Sequence, residues 1–249
     1  MLFDSHSHLN LLTEEELEEA LFCANSAGIK KIISCSTSFA SNEKNLELAK
    51  NFPQILPAIG LYPLDAMDLT QLELDKAFYF FKAEISKTVA IGEVGLDYKY
   101  ATKKKDQEKQ EGIFSRFIEL AKENKKPLII HSRYAQSQVL KMLEKNNAEK
   151  VLLHSFVDSE KLMKRAAEKG YFISVGLSVL ENENIQKNIT AFPIKNLLFE
   201  TDSPVRFGGE KAIPQKIELI AKKVAELKGL PLKEIEDQQE KNFKELFSF

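Results

Sequence analysis

Cysteine is scarce in this chain, where only Cys23 and Cys35 occur among 249 residues. The two do not form a Cys-x-x-Cys pair, so the sequence supports neither a disulfide framework nor a thiolate zinc knuckle. Both side chains are predicted to be small buried hydrophobic groups. A metal site in this protein would therefore use nitrogen and oxygen ligands rather than sulfur.

Long apolar runs and a large excess of one charge are also absent. No hydrophobic run is long enough to cross a bilayer, and Met1–Asn10 lacks the apolar core of a secretory signal peptide. We therefore expect a cytoplasmic protein without membrane contacts. The net charge of −2 at pH 7 argues against a protein that coats DNA through bulk positive charge. A nuclease stays open, since bound metal ions can supply positive charge locally.

No flexible linker, low-complexity segment or short repeat divides the chain, and its length is typical of one (β/α)₈ barrel. We therefore predict a single domain over residues 1–249. Short apolar runs alternate with amphipathic stretches, and such runs are typical of parallel strands that are buried on both faces. The predicted strands are Leu2–Asp4, Lys31–Cys35, Ile55–Ile59, Val89–Gly92, Pro127–Ile130, Val151–Leu153, Tyr171–Val175 and Leu197–Glu200.

Helices are predicted between and after these runs. Thr13-x-x-Glu16 is typical of a capping box that opens the first helix, and Gly28 is predicted to end it. The later helices are predicted at Ser41–Asn51, Leu69–Ile85, Asp106–Asn124, Ala135–Asn146, Ser159–Lys169, Leu180–Ile189, Pro214–Leu227 and Pro231–Phe249. Eight strand–helix units at this spacing favour a closed (β/α)₈ TIM-like barrel with an added C-terminal helix. An open, doubly wound sheet is the alternative.

Histidine is also rare, and its four copies share one position in the predicted fold. His6 and His8 follow the first predicted strand, His131 follows the fifth, and His154 follows the sixth. In barrels, the carboxyl ends of the strands form the rim that carries the active site. Because side chains two residues apart on an extended strand point the same way, His6 and His8 could bind one metal ion.

Two acidic residues follow predicted strands in the same way. Glu93 comes after the fourth run, between Gly92 and Gly95, and Asp202 comes after the eighth. Each alone could form an ordinary salt bridge at the rim. Together with the histidines they are typical of a two-metal site, in which ions ~3.5–4 Å apart share a bridging oxygen. Mixed nitrogen and oxygen ligands favour Zn, Mn or Co, with Mg as a further candidate.

Five segments resemble, in order, the motifs of the TatD-type metal-dependent deoxyribonucleases, which are (β/α)-barrel members of the wider amidohydrolase-like group. The segments are Asp4-Ser5-His6-Ser7-His8-Leu9, Gly92-Glu93-Val94-Gly95-Leu96-Asp97-Tyr98, Pro127-Leu128-Ile129-Ile130-His131-Ser132-Arg133, Leu153-His154-Ser155-Phe156 and Leu198-Phe199-Glu200-Thr201-Asp202-Ser203-Pro204. The similarity extends from Leu2 to about Pro214. Together the five motifs are highly specific for the family.

The resemblance implies two divalent metal ions and a nucleic acid substrate. Its ligands for the first ion would be His6, His8, Glu93 and Asp202, and those for the second would be Glu93, His131 and His154, with Glu93 as the bridge. The implied substrate is DNA, degraded from the 3′ end, and several members of the family also act on RNA. We expect single-stranded DNA to be preferred, because unpaired ends reach a recessed metal pair more easily. No protein partner is evident.

The expected reaction is hydrolysis of a phosphodiester by a water molecule that two metal ions activate. Asp202 and Glu93 are the predicted catalytic carboxylates, and Asp202 is the candidate that accepts the proton of the attacking water. Arg133 lies two residues beyond His131 and could bind a phosphate oxygen. The alternative for Arg133 is a salt bridge at the rim with Glu200. Two further function classes stay open, an amidase, lactonase or deacylase that acts on a carbonyl substrate, and a protein that only binds metal.

The sequence departs from the family at residues outside the predicted ligand set. Tyr62 stands in Gly60-Leu61-Tyr62-Pro63 where the family usually has a histidine, and it is expected to face the rim between Glu93 and the first two histidines. Pro204 is followed by Val205-Arg206-Phe207 instead of Tyr-Leu, and Ala212-Ile213-Pro214 replaces Asn-x-Pro. These differences concern substrate contacts.

Three further groups of residues are predicted with less direct bearing on the chemistry. Asp97 and Tyr98 could orient Glu93 or a ligand histidine, although Tyr98 could equally be a packing residue. The lysines at 103–105 and 125–126 are predicted to be solvated, with contact to a DNA backbone as the alternative. The predicted core phenylalanines are Phe78, Phe80, Phe81, Phe114 and Phe117.

Overall fold

The main sheet of the protein has eight parallel strands, each hydrogen-bonded to the next strand along the chain. The computed structural model describes residues 1–157 and 159–248. The strands are β1 (Leu2–Ser7), β2 (Ile29–Cys35), β3 (Ile55–Ile59), β4 (Ala90–Asp97), β5 (Leu128–Arg133), β6 (Val151–Leu153), β7 (Phe172–Val175) and β8 (Leu197–Phe199). The predicted barrel is confirmed. An open, doubly wound sheet would reverse its strand order at a switch point, so that alternative is wrong.

The barrel closes between β8 and β1 through the residues that follow β8. The backbone N–H of Asp202 donates to the carbonyl of His6 at 3.0 Å, and the backbone N–H of His8 donates to the carbonyl of Ser203 at 2.6 Å. These two hydrogen bonds continue the sheet past the end of β8. They also bring Asp202 directly beside both histidines of the first motif.

The helices follow the strands as predicted, with one addition. In residues 1–157 and 159–248 they are α1 (Glu14–Ser26), α2 (Phe39–Asn51), α3 (Pro63–Asp68), α4 (Gln71–Glu84), α5 (Lys104–Asn124), α6 (Gln136–Lys145), α7 (Glu160–Glu168), α8 (Glu183–Ala191), α9 (Ile217–Lys228) and α10 (Leu232–Phe247). The short α3 was not predicted, and the predicted residue Phe249 lies outside the described part of the chain. A two-stranded hairpin, β9 (Arg206–Phe207) and β10 (Glu210–Lys211), follows the barrel. None of the described helices is long and apolar enough to cross a membrane.

Side-chain caps set the start of several helices. The predicted capping box is present, because the Thr13 hydroxyl accepts from the Glu16 N–H while the Glu16 carboxylate accepts from the Thr13 N–H. Ser38 and Ser41 form a second box, which starts α2 two residues before the predicted position. A cap offers the first N–H groups of a helix the acceptors that they otherwise lack. Local sequence therefore controls where these helices begin.

The core has two layers on opposite faces of the strands. Phe3, Ile129 and Leu198 lie in the layer that fills the barrel, together with Phe243 and Phe247 of α10. The rings of Phe3 and Phe243 stack with centroids 4.5 Å apart. Because Phe3 lies at the start of β1, α10 covers the amino-terminal end of the barrel. The carboxyl ends of the strands are thereby left as the end that can carry a site.

The second layer lies between the strands and the surrounding helices. Four of the predicted core phenylalanines are buried in it, Phe78, Phe81, Phe114 and Phe117, while Phe80 is partly buried against the same layer. Cys35 lies buried inside the barrel, as predicted. Cys23 is only partly buried, so the prediction that both cysteines are buried is wrong for this residue. It lies in the last part of α1, whose outer face meets solvent.

Candidate metal centre

The six predicted ligands come from five different strands and meet at the carboxyl end of the barrel. Three overlapping groups have ligand atoms that all lie within 4.8 Å of one another, and these are His6 with His8 and Glu93, His6 with His154 and Asp202, and Glu93 with His131 and His154. The histidines and Glu93 are buried or nearly so, whereas about a third of the Asp202 side chain (31%) is exposed. The parallel strands bring together residues that are far apart in the chain.

Glu93 lies at the middle of the cluster and divides its two oxygens between two sets of imidazoles. Its Oε2 lies 3.3 Å from His8 Nε2 and 3.8 Å from His6 Nε2. Its Oε1 lies 2.9 Å from His131 Nδ1 and 3.9 Å from His154 Nε2. A carboxylate placed in this way can bridge two cations, because each oxygen faces a different pair of nitrogen donors.

Asp202 completes the side of the cluster next to β1. Its Oδ1 lies 3.4 Å from His6 Nε2 and 3.3 Å from His8 Nε2. Among the described residues this buried oxygen has no hydrogen-bond partner of acceptable geometry. The residue has φ 55°, in the left-handed region that Asp and Asn tolerate better than most side chains. In this backbone conformation Asp202 Oδ1 faces the imidazoles of His6 and His8 but is hydrogen-bonded to neither.

The spacing of these donors fits a bound divalent cation. His6 Nε2 and His8 Nε2 lie 3.2 Å apart, and the two Asp202 contacts are similar. Ligands about 2.0–2.1 Å from a tetrahedral cation are about 3.3 Å from one another. This spacing of converging nitrogen and oxygen atoms, with Asp202 Oδ1 left without a hydrogen bond, is therefore the one expected around a cation. The donor set of imidazole nitrogens and carboxylate oxygens suits the borderline metals that bind both types.

Burial and the nearby carboxylates act against each other on the histidines. Burial works against protonation of His8, but Asp202 and Glu93 outweigh it and raise the pKa of His8 to about 10. Burial, together with the neighbouring His154, lowers the pKa of His6. Although burial alone would raise the pKa of Asp202, contacts with His6 and His8 keep that pKa well below its usual range. The carboxylates thus create a negative site that favours either protons or cations on the imidazoles.

Glu200 was missed as a member of the site. It is buried, its Oε2 lies 2.9 Å from His154 Nδ1, and it accepts a hydrogen bond of 2.5 Å from the Ser174 hydroxyl. Burial works against protonation of His154, but Glu200 outweighs it and raises the pKa of His154 to about 10. With Nδ1 held by Glu200, Nε2 of His154 faces Glu93. The sequence contained one indication of this role, because Glu200 is a charged residue at the end of a predicted buried strand.

Asp97 orients a second histidine, His131. This is one of the two roles that the sequence predicted for it, the other being to orient Glu93. Its Oδ2 lies 3.2 Å from His131 Nε2 and accepts a hydrogen bond of 2.9 Å from the Tyr62 hydroxyl. Asp97 therefore holds the far side of the His131 ring while Nδ1 faces Glu93. Tyr98 has no such role, since its hydroxyl donates to Glu111 at 2.5 Å. The alternative reading of Tyr98 as a packing residue is the correct one.

Tyr62 lies on the His131 side of the centre. The centroid of its ring is 4.7 Å from that of the His131 ring, and its hydroxyl lies 3.3 Å from His131 Nε2. The prediction that Tyr62 faces the rim between Glu93 and the first two histidines is therefore wrong. The turn after β3 instead places the Tyr62 hydroxyl against Asp97 of β4 and His131 of β5. Burial and the Asp97 carboxylate raise the pKa of Tyr62, so the hydroxyl keeps its proton.

Close packing of β4 against its neighbours places Glu93 at this depth. Gly95 has φ +144°, and a Cβ at this position would overlap the carbonyl oxygen of His131 on β5. Only glycine can adopt this conformation and this close approach together. A Cβ at Gly92 would likewise overlap the Ile129 side chain on β5, so both glycines that flank Glu93 have a packing role.

Arg133 is exposed at the rim beyond His131. Its guanidinium carbon lies 5.8 Å from the centre of the Tyr100 ring, and within residues 1–157 and 159–248 it forms no ion pair. The alternative of a salt bridge between Arg133 and Glu200 is wrong, because Glu200 is buried against His154 and Ser174.

The two lysine clusters lie at opposite ends of the barrel. Lys125 and Lys126 precede β5, at the end of the barrel away from the ligands, and Lys126 Nζ donates to the Thr88 carbonyl. The lysines at 103–105 precede or begin α5, on the side of the rim that carries β4, and are exposed.

Comparison with known proteins agrees with this geometry. A family model described as TatD related DNase matches residues 3–248. The uncharacterized metal-dependent hydrolase YabD of Bacillus subtilis (strain 168) is 33% identical over 256 residues, which cover 99% of this chain and 99% of that protein. Deoxyribonuclease TATDN3 of Homo sapiens is 30% identical over 259 residues, which cover 99% of this chain and 94% of that protein.

A solved structure is similar over the whole fold. The crystal structure of YJJV, a TatD homologue from Escherichia coli k12, superposes with a TM-score of 0.90 at 26% sequence identity. The match covers 100% of this chain and 98% of that one.

Proposed function

This chain belongs to the TatD-related DNase family, and we propose that it is a metal-dependent hydrolase that cleaves phosphodiester bonds in DNA. The observation that carries this proposal is the position of Glu93, with Oε2 toward His6 and His8 and Oε1 toward His131 and His154. Two cations that share one carboxylate suit in-line displacement at phosphorus, because one can stabilise the attacking oxygen and the other the leaving oxygen.

The proposed centre contains two divalent ions, chosen from Zn, Mn, Co and Mg. The ligands of the first are His6, His8, Glu93 and Asp202, and those of the second are Glu93, His131 and His154. When bound, the ions would activate water and offset the charge of the phosphate. Glu200 and Asp97 hold the far nitrogens of two of the histidines, at 2.9 and 3.2 Å, and so keep the near nitrogens directed at the centre.

Asp202 is the proposed general base. Its low pKa keeps it ionised at neutral pH, and its partial exposure lets it meet a water molecule that enters from the rim. Glu93 is the proposed bridging carboxylate. Arg133 is proposed to bind a phosphate oxygen, since its guanidinium is exposed on the same strand as His131 and can donate two hydrogen bonds to one phosphate.

We further propose that the substrate is single-stranded DNA cleaved from the 3′ end, with RNA as a second substrate. An unpaired end can reach ligands that lie below the rim, whereas a duplex is wider than a single strand. A cytoplasmic location without membrane or protein partners is a prediction that fractionation of cells would test.

The test is a set of cleavage assays with purified protein. Labelled single-stranded and duplex DNA, with the label at either end, are incubated with Mg, Mn, Zn or Co, and with an excess of chelator. We expect metal-dependent shortening of the single strand from its 3′ end and no cleavage in chelator. A panel of lactones, esters and amides tests the alternative, and turnover of any of these far above that of DNA would overturn the proposal.

A variant separates the catalytic role of Asp202 from its structural role. Asp202→Asn keeps an oxygen ligand but removes the proton acceptor, and loss of a general base lowers rates by about 10²–10⁴-fold. We expect a fall in kcat of this size with an unchanged circular dichroism spectrum. Turnover close to that of the wild type would remove Asp202 from the catalytic residues.

A further inference from the structure

Two exposed tyrosines stand on the rim next to the metal centre. Tyr134 directly follows β5 and is 73% exposed, and Tyr100 follows β4 and is 56% exposed. These two strands carry His131 and Glu93. The only other tyrosine exposed to this degree in the described residues is Tyr79, on the outer face of α4. Large aromatic rings in water at the mouth of a site are candidates for ligand contacts.

Exposed cations surround the Tyr100 ring. Lys99 Nζ lies 5.7 Å from the ring centre, and the guanidinium carbon of Arg133 lies 5.8 Å from it. Lys103 is exposed just beyond, at the start of α5. Aromatic faces beside positive charges are the elements with which proteins bind single-stranded nucleic acid without reading its sequence. Bases can stack on the ring faces, and the cations can bind the backbone phosphates.

This patch is close to the proposed reaction centre. His131 and Arg133 are two residues apart on β5, so their side chains share one face and their Cα atoms are about 7 Å apart. Asp97, which contacts His131, is the ladder partner of Arg133. The separation is comparable to the distance between neighbouring phosphates of one strand, which is longer than the roughly 3.4 Å axial rise per nucleotide because the backbone winds around the helix axis. A strand with one phosphate at the metal ligands would therefore have its next phosphate near Arg133, whose guanidinium lies beside the Tyr100 ring, and Tyr134 is the next residue along the chain.

We propose that Tyr100 and Tyr134 form a stacking site for bases of a single-stranded nucleic acid next to the scissile phosphate, with Lys99 and Arg133 binding its backbone. This inference rests on the proposed function, because it names the part of the substrate that the rim holds. The occupant is chosen by charge complementarity, since the cations suit a polyanion and the exposed rings suit unpaired bases.

The test measures binding rather than turnover. Fluorescence anisotropy with a labelled oligothymidylate is recorded in excess chelator at low salt, for the wild type, Tyr100→Leu, Tyr134→Leu and the control Tyr79→Leu. A second oligonucleotide of equal length has abasic sites and so keeps only the phosphates. We expect each rim variant to weaken binding of the intact strand by about 5- to 100-fold. The effect on the abasic strand should be much smaller, and Tyr79→Leu should match the wild type.

The outcomes separate the stacking site from the proposed function. Unchanged affinity in both rim variants, equal losses on intact and abasic strands, or no binding by the wild type would each overturn the stacking site. If the rim variants lose affinity for the intact strand as expected but the wild type cleaves no strand with any metal, the proposed function fails and the stacking site is supported. If cleavage is normal and the rim variants bind like the wild type, only the stacking site fails.

Discussion

At the scale of single residues, the chemistry of this site depends on the carboxylates that hold the far sides of two imidazoles, His154 and His131. His154 has one nitrogen on Glu200 and the other toward Glu93. His131 has the same arrangement with Asp97. A carboxylate that contacts the far nitrogen selects the tautomer of the imidazole and makes the near nitrogen a stronger ligand for a metal ion. The buried carboxylates that do not bind metal are thus part of the centre.

Glu200→Gln tests this positioning role. Glutamine keeps the shape and a hydrogen-bond acceptor for His154 but loses the negative charge. We expect the affinity for divalent ions to fall about 10–100-fold, with activity recovered at high metal concentration. Isothermal titration with Mn or Zn measures the affinity, and a metal titration of kcat measures the recovery.

Glu144→Gln is the matched control for this variant. Glu144 is ion-paired like Glu200, but it is only partly buried and its partner is Arg165 at 2.7 Å, away from the centre. The control should bind metal like the wild type. If Glu200→Gln retained full affinity, or lost activity that added metal did not recover, the positioning role would be contradicted.

At the scale of elements, the contact between β4 and β5 determines how deep the bridging carboxylate lies. Val94 and Gly95 pair with Ile130 and His131, after an irregularity in the ladder that follows Ile91. Gly95 allows β4 to approach the backbone of β5 at His131. Glu93 is adjacent to this contact, so the same packing places Glu93 against the histidines.

Gly95→Ala should therefore damage both the fold and the site. The added Cβ would overlap the His131 carbonyl oxygen, and φ +144° is strained for alanine. We expect the free energy of unfolding to fall by more than about 3 kcal/mol, measured by urea denaturation monitored with circular dichroism. The same variant should also lose metal binding.

Gly112→Ala is the control within the same region of the barrel. Gly112 lies on the exposed face of α5, and a Cβ there meets no atom within 4 Å. Alanine should raise the free energy of unfolding by about 0.5–1 kcal/mol, because glycine loses more backbone entropy in a helix. Equal effects of the two substitutions would show that the β4–β5 contact does not have the proposed importance.

At the scale of the whole molecule, the ligands join the first strand of the barrel to the last. His6 lies in β1, and Asp202 follows β8 and hydrogen-bonds back to His6. A cation held by both would tie the two ends of the sheet together. Since such a site exists only in the folded chain, metal binding should add to the stability of the fold.

Thermal unfolding tests this coupling. At a metal concentration one hundred times Kd, binding should stabilise the fold by about 2.7 kcal/mol, which corresponds to a Tm increase of about 5–10 °C for a chain of this size. Differential scanning calorimetry with Mn or Zn, followed by an excess of chelator, measures the change and its reversal. Potassium at the same ionic strength is the control. A Tm that is the same with metal and with chelator would contradict the coupling.

The parts of this protein that depend on local interactions could be predicted from its sequence. Short buried runs such as Ile55–Ile59 and Val151–Leu153 match the observed strands, because strands buried on both faces need continuous apolar residues. The Thr13 capping box was readable because its partners are three residues apart. The meeting of the candidate ligands followed from one rule, that the carboxyl ends of parallel strands in a barrel lie at one rim.

Tertiary structure alone decided which side chains meet across that rim. The Glu200–His154 contact joins residues 46 positions apart, and the Tyr62–Asp97 hydrogen bond joins residues 35 apart. Such pairs depend on the register and curvature of the barrel, which no pattern within one segment encodes. The same reason applies to the covering of the barrel by α10 and to the neighbouring positions of Tyr100 and Arg133. Local sequence specifies the elements, and the closure of the sheet selects their partners.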